Sequence, residues 1–132
     1  MVMTDPVADM ITRMRNAHRA LKKTCDVPHS NFKWAIASVL RQEGYIYGFD
    51  SRLVDGSKMI RVYLKYINEK TPIFTQIKRM SRPGRRFYVE RNNIPKVQNG
   101  FGIAVLSTSK GVMSDKKAKE KGIGGELLFT VF

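Results

Sequence analysis

The chain has 132 residues, 24 Lys and Arg against 11 Asp and Glu, and a formal net charge of +13. Charge of that density repels itself and destabilises a compact state unless a polyanion neutralises it. No run of 18 apolar residues exists to span a bilayer, the start lacks the features of a secretory or transit segment, and the single cysteine, Cys25, excludes an intrachain disulfide. Nucleic acid in the cytoplasm is thus the expected partner, and no membrane is expected.

In chain order, Asp5-Pro6 predicts a helix start, with Asp at the N-cap and Pro at the first helical position. Val7, Met10, Ile11, Met14 and Leu21 follow at helical spacing, with Arg15, Arg19, Lys22 and Lys23 on the other side. Cys25 to Pro28 reads as a short strand. Ser30 or Asn31 caps a second helix with an apolar face of Phe32, Ala35, Ile36, Val39 and Leu40, stopped by Gly44. The period then falls to two. Tyr45 to Leu53 and Lys58 to Tyr66 read as strands around an Asp55-Gly56 turn.

The polar stretch Glu69–Pro72 predicts a boundary between an N-terminal domain, 1–70, and a C-terminal domain, 71–132. The first holds 12 basic and 7 acidic groups, the second 12 and 4. Ile73 to Met80 reads as a strand and Ser81-Arg-Pro-Gly84 as a turn. Arg86 to Glu90 reads as a strand with Phe87 and Val89 on one face and Arg86 and Tyr88 on the other. Asn92 to Gly102 is loop-like, Ile103 to Leu106 an apolar strand, Asp115 to Lys121 a basic helix capped by Ser114, and Glu126 to Phe132 a final strand. The expected class is α+β: an α-β-α-β-β domain packed against a smaller, mainly β domain with one short helix.

Catalytic chemistry finds little support. Cys25 and His29 lie four apart, but a metal needs three or four ligands and a nucleophile needs an oriented base. Gly122-Ile-Gly-Gly125 follows a helix and precedes a strand, the reverse of a nucleotide-binding loop. No cofactor is expected.

RNA binding has better candidates. Ser107, Thr108 and Ser109 are three consecutive small hydroxyl residues, able to donate and accept toward the 2′-hydroxyls of a shallow RNA minor groove. Lys110 adds phosphate attraction. Tyr88 beside Arg86 suits base stacking. Arg79, Arg82, Arg85 and Arg86 cluster about one turn, where phosphate contact would give position rather than sequence choice. Glu126, an acid in the most basic half, either offsets a cation, shapes the hydroxyl loop or accepts from a base.

Several blocks occur together in order: Met1-Val-Met-Thr-Asp-Pro-Val-Ala-Asp-Met-Ile-Thr-Arg-Met-Arg-Asn16, Ser81-Arg-Pro-Gly84 with Arg86 and Tyr88, Pro95-Lys-Val97, Gly102-Ile-Ala-Val-Leu-Ser-Thr-Ser-Lys-Gly-Val-Met-Ser-Asp115, and Gly124-Gly-Glu126. This set resembles the bacterial small-subunit ribosomal protein eight family along the whole chain. The resemblance implies a non-enzymatic protein that binds the central domain of small-subunit rRNA early in assembly. It also implies neighbouring ribosomal proteins as partners and, in many bacteria, repression of the protein's own operon through a similar mRNA structure. It assigns RNA contact to Ser107, Thr108, Ser109, Tyr88 and Glu126, and proximity to RNA to Thr4, Asp5, Arg15, Asn16 and the loop at Ser30. Arg85, Phe87 and Glu90 depart from the family pattern. The alternatives are a regulator acting on mRNA or DNA, and a small enzyme using Cys25 and His29.

Overall fold

A computed structural model describes residues 5–132, so Thr4 lies outside the described residues. Helix α1 (Pro6–Arg19) starts as Asp5 requires: its carboxylate accepts from the Ala8 amide at 3.1 Å. Val7, Met10, Ile11, Met14 and Ala17 are buried along one stripe. Leu21 does not continue that stripe. The helix ends at Arg19, and Leu21 takes a left-handed φ of 57 with its side chain in solvent.

Strand β1 (Thr24–Pro28) leads to α2 (Asn31–Gln42), capped by Ser30 through its hydroxyl on the Lys33 amide at 3.1 Å. The buried face of α2 is Lys33, Ile36, Ala37, Val39 and Leu40, while Phe32, expected inside, is exposed. Lys33 is instead buried, and that burial pushes its ammonium pKa down.

Strands β2 (Ile46–Val54) and β3 (Ser57–Leu64) form the expected hairpin over Asp55-Gly56, both at positive φ. With β1 they make an antiparallel sheet of order β1-β3-β2. One face carries Val27, Ile60 and Val62 into the core. The other carries ion pairs: Arg61 grips Asp26 at 2.9 and 3.2 Å, and Asp50 takes Arg52 at 3.2 Å and the Tyr63 hydroxyl at 2.8 Å.

Strands β4 (Tyr66–Asn68) and β5 (Thr71–Pro72) form a small hairpin. Beyond it, β6 (Ile77–Arg79), β7 (Tyr88–Val89), β8 (Ile103–Thr108), β9 (Gly111–Ser114) and β10 (Gly125–Val131) share a second sheet, with α3 (Asp115–Lys121) after β9. Strand β10 is its axis. It pairs with β8 on one side and with β7 then β6 on the other. The class is α+β, with three α-helices and antiparallel pairing throughout the described residues.

Three expectations in this half change. Only Ile77–Arg79 of the segment 73–80 is strand: the Ile73 amide donates to the Lys65 carbonyl at 3.2 Å, and Gln76 and Phe132 exchange backbone hydrogen bonds at 2.8 and 3.0 Å. Only Tyr88–Val89 of 86–90 pairs as strand, and Phe87 is exposed. Residues 111–114 form β9, which the sequence reading did not foresee.

Two apolar clusters hold the described residues together. The larger joins α1, α2 and the first sheet to Phe74, Ile77, Ile103, Val105, Leu128, Phe129 and Val131, so it crosses the 70/71 boundary. The smaller, with Leu106, Met113, Ala118 and Leu127, lies under α3.

His18 is buried beside the larger cluster, its ring 4.5 Å from that of Phe74 and 5.1 Å from that of Tyr66, and among the described residues neither ring nitrogen has a partner. Burial pushes its pKa down from the usual value. The folded state therefore stays neutral where the unfolded chain takes up a proton, so stability is full above the unfolded pKa and falls as pH drops below it. Thermal unfolding is expected to show Tm falling from pH 7.5 to 5.5, as stability drops by at most about 1.4 kcal/mol per pH unit for one proton. A His18→Leu variant should show a flatter profile.

Candidate nucleic-acid interface

The hydroxyl residues sit at the tip of a hairpin rather than in an open loop. Ser107 and Thr108 end β8, Ser109 and Lys110 make the turn, and Gly111 opens β9 at φ 110. Thr108↔Gly111 is the last pair of the ladder. A glycine there accepts the left-handed backbone that lets a tight turn rejoin the strand. The signal for this hairpin was present in the sequence: Lys110-Gly111 stands between the apolar runs Ile103–Leu106 and Val112–Met113.

The three hydroxyls divide in role. Thr108 Oγ1 donates to the Gly111 carbonyl at 2.7 Å and accepts from the Lys110 amide at 3.1 Å, so it is spent on the turn. Ser107 is half-buried and Ser109 exposed, and neither side chain has a hydrogen-bond partner among the described residues. Those two hydroxyls, with the exposed Lys110, face outward with donor and acceptor capacity unused.

Strand β10 links this tip to Tyr88. In the ladder, Glu126 stands opposite Tyr88 on one side and opposite Ser107 on the other. Tyr88 is 69% exposed on an edge of the sheet. Three residues singled out separately in the sequence thus share one row across β7, β10 and β8. The row closes up because of two glycines. A Cβ on Gly124 would meet the Val89 carbonyl oxygen at 2.2 Å, and one on Gly125 would meet the Ser107 carbonyl oxygen at 2.4 Å. Only hydrogen side chains allow the strands to approach there.

Glu126 anchors the row from behind. Its carboxylate accepts from the buried Ser81 hydroxyl and from Arg86 Nη1 at 3.1 Å, and Ser81 Oγ accepts from the Phe87 amide at 3.1 Å. Glu126 therefore pins the Ser81–Phe87 excursion against β10. It serves as a strut for Tyr88 and half-neutralises Arg86, which stays half-exposed.

The arginine cluster also divides. Arg79 is only 9% exposed at its side chain; Nε and Nη2 reach Asp5 at 3.3 Å each and Nη1 donates to the Leu128 carbonyl at 2.6 Å. Arg79 and Asp5 spend their charge on each other and tie α1 to the second sheet. Arg82 and Arg85 pair backbone to backbone across the Pro83-Gly84 turn, with side chains in solvent.

Of the N-terminal candidates, Arg15 donates Nη2 to the Ile77 carbonyl and lines a cleft with Arg19, Lys78, Arg79 and Arg82. That cleft adjoins the arginine turn. Asn16 is exposed and opens into a different cleft with Arg13, Lys22 and Cys25. The Ser30 hydroxyl is occupied as the α2 cap. The structure thus joins Ser107, Ser109, Lys110, Glu126, Tyr88, Arg86 and Arg82 in one region, and does not bring Asn16 or Ser30 into it.

The alternative chemistry fares poorly. Burial, then the neighbouring Asp26, pushes the Cys25 thiol up to about 12. A thiol so protonated is a poor nucleophile. His29 instead packs its ring 5.8 Å from that of Trp34. Maleimide labelling at pH 8 is expected to be slower in the folded protein than in denaturant by on the order of a thousandfold, the ratio of thiolate fractions. Among the described residues, no three His, Cys, Asp or Glu side chains gather as a metal would require, and no helix is long and apolar enough to cross a membrane.

The profile of the family described as Ribosomal protein S8 matches residues 5–132. The chain belongs to the ribosomal protein S8 family. Its relatives include the small ribosomal subunit protein uS8 of Geotalea uraniireducens, 54% identical over 132 residues, and that of Geotalea daltonii, 53% identical. The uS8 of Syntrophus aciditrophicus is 51% identical over 133 residues. In each case the match covers the whole of both chains. This S8-family chain thus belongs with ribosomal proteins, a structural rather than an enzymatic kind.

Proposed function

We propose that this chain is a structural component of the small ribosomal subunit that binds the central domain of its rRNA early and promotes assembly. The observation that carries the reading is the single row Tyr88–Glu126–Ser107, continued by the unspent hydroxyl of Ser109 at the hairpin tip. A rigid strip with a stacking ring at one end and hydroxyls at the other fits an irregular RNA helix, read by shape, by base stacking and by 2′-hydroxyl contact. Arg82, Arg86 and Lys110 supply phosphate attraction around it. An RNA site that reads shape also accepts an mRNA folded to the same shape, so repression of the protein's own operon belongs to the same proposal.

Filter binding tests this reading. The central-domain rRNA fragment should bind far more tightly than duplex DNA or an unrelated duplex RNA of equal length at the same salt concentration. Equal affinity for all three would reject it. Arg82, free of any side-chain partner among the described residues, is assigned to phosphate. Arg82→Ala is expected to lower the salt dependence of binding by a log–log slope of roughly one. An unchanged slope would leave Arg82 as a solvated charge.

A further inference from the structure

The turn after α1 breaks a local rule. A residue in the left-handed region is ordinarily Gly or Asn, because a Cβ there crowds the carbonyl. This chain places Leu21 there, 49% exposed. The leucine does not stand alone. Tyr47 on β2 is 65% exposed and Ile67 on β4 is 67% exposed, and the three line one groove of about 790 Å³ floored by Tyr63 and Tyr66. The two floor rings are fixed: the Tyr63 hydroxyl donates to Asp50 at 2.8 Å, and the Tyr66 hydroxyl donates to the Lys22 carbonyl. A grouped set of exposed apolar side chains on a fixed floor marks an interaction site.

The charge about the groove selects the partner. Lys23 and Glu69 line it, Lys65 Nζ lies 5.6 Å from the centroid of the Tyr47 ring, and Lys22 and Lys70 adjoin it in the chain. Two lysines, Lys23 and Lys65, thus stand at the groove with one glutamate, Glu69. Behind the groove, however, the open face of the first sheet is self-neutralised by Asp26–Arg61 and Asp50–Arg52. A long RNA backbone would gain no net attraction across that face and would meet its carboxylates. A short apolar segment edged by a few carboxylates would match both the aliphatic groove and its lysine rim.

We propose that this groove docks a partner protein, through a segment that seats an apolar side chain among Leu21, Tyr47 and Ile67 and sets Asp or Glu residues against Lys23 and Lys65. The proposal rests on the reading of the chain as a ribosomal component only in where the partner is met. The groove shares no residue with the RNA row.

The test uses the full chain in assembled small subunits, with p-benzoylphenylalanine in place of Tyr47 as the photoprobe. Irradiation and peptide mass spectrometry should give a cross-link to another protein, at an apolar residue with at least two Asp or Glu within five positions. In a Leu21→Ser/Ile67→Ser background the cross-link yield should fall about tenfold, as for loss of anchor contacts. Its affinity for the rRNA fragment should stay within about twofold, since no RNA-row residue is changed. A cross-link to rRNA, to a second copy of the chain, or to a peptide without carboxylates would overturn the proposal, as would no cross-link or an unchanged yield in the double variant. Weak binding of the unaltered chain to the rRNA fragment would instead count against the proposed function, which keeps the two failures apart.

Discussion

Gly124→Ala is expected to cost about 3 kcal/mol of folding stability, near the upper end for overpacking a close contact. The added carbon would lie 2.2 Å from the Val89 carbonyl oxygen and 2.9 Å from the Arg91 amide nitrogen, both backbone atoms that cannot rotate aside. Strand β7 is only two residues long, Tyr88–Val89, so its pairing with β10 has little reserve. Displacing it moves Tyr88 out of line with Glu126 and strips the shaped end from the proposed RNA site. Urea unfolding measures the first effect and filter binding the second. Gly122→Ala is the comparison. Gly122 has a positive φ of 64 but open space around its Cβ position, so it should cost only about 1 kcal/mol and leave Tyr88 in place. A Gly124→Ala protein as stable as the Gly122→Ala protein would contradict the close approach.

The second large effect falls on affinity. Ser109→Ala should weaken binding to the rRNA fragment by about 1–3 kcal/mol, the cost of leaving a polar RNA group buried without its partner. Stability should change by less than about 0.5 kcal/mol, because the Ser109 hydroxyl supports nothing within the described fold. Thr108→Ala should behave in the opposite manner. Its hydroxyl holds the turn at 2.7 and 3.1 Å, so its removal should lower stability by about 1 kcal/mol. Affinity would then fall only as far as the turn loosens. The contrast separates a side chain that shapes the tip from one that reads RNA. Equal affinity losses with no stability difference would merge the two roles.

Local patterns in the sequence were legible where local physics decides the outcome. Asp5-Pro6, Ser30 and Ser114 cap helices as their side chains predict. Asp55-Gly56 turns the first hairpin because both positions need positive φ. Misreadings arose where distant partners decide. Thr75 and Gln76 are claimed by Phe132, more than fifty residues away in the chain. Phe32 is exposed where its neighbour Lys33 is buried, which spacing alone does not tell.

The candidate site shows the same division. Tyr88, Glu126 and Ser107 were each visible as unusual residues, but nothing local says that β10 runs between the other two. That alignment belongs to sheet order, which is set by pairings of high sequence separation. The division of labour among Ser107, Thr108 and Ser109 was equally hidden, since it depends on which hydroxyl points into the turn. Arg79 reads as one of four similar arginines until Asp5 is seen beside it.

Tethered cleavage from the hairpin tip tests the proposed site most directly. Ser109→Cys, in a Cys25→Ala background that removes the half-buried native thiol, carries an iron chelate that generates hydroxyl radicals. Bound to small-subunit rRNA, the tethered protein should cut the backbone at one place, within an irregular helix of the central domain. Cuts scattered along the rRNA, cuts confined to another domain, or none above an untethered control would contradict the assignment of the Ser107–Ser109 tip to RNA.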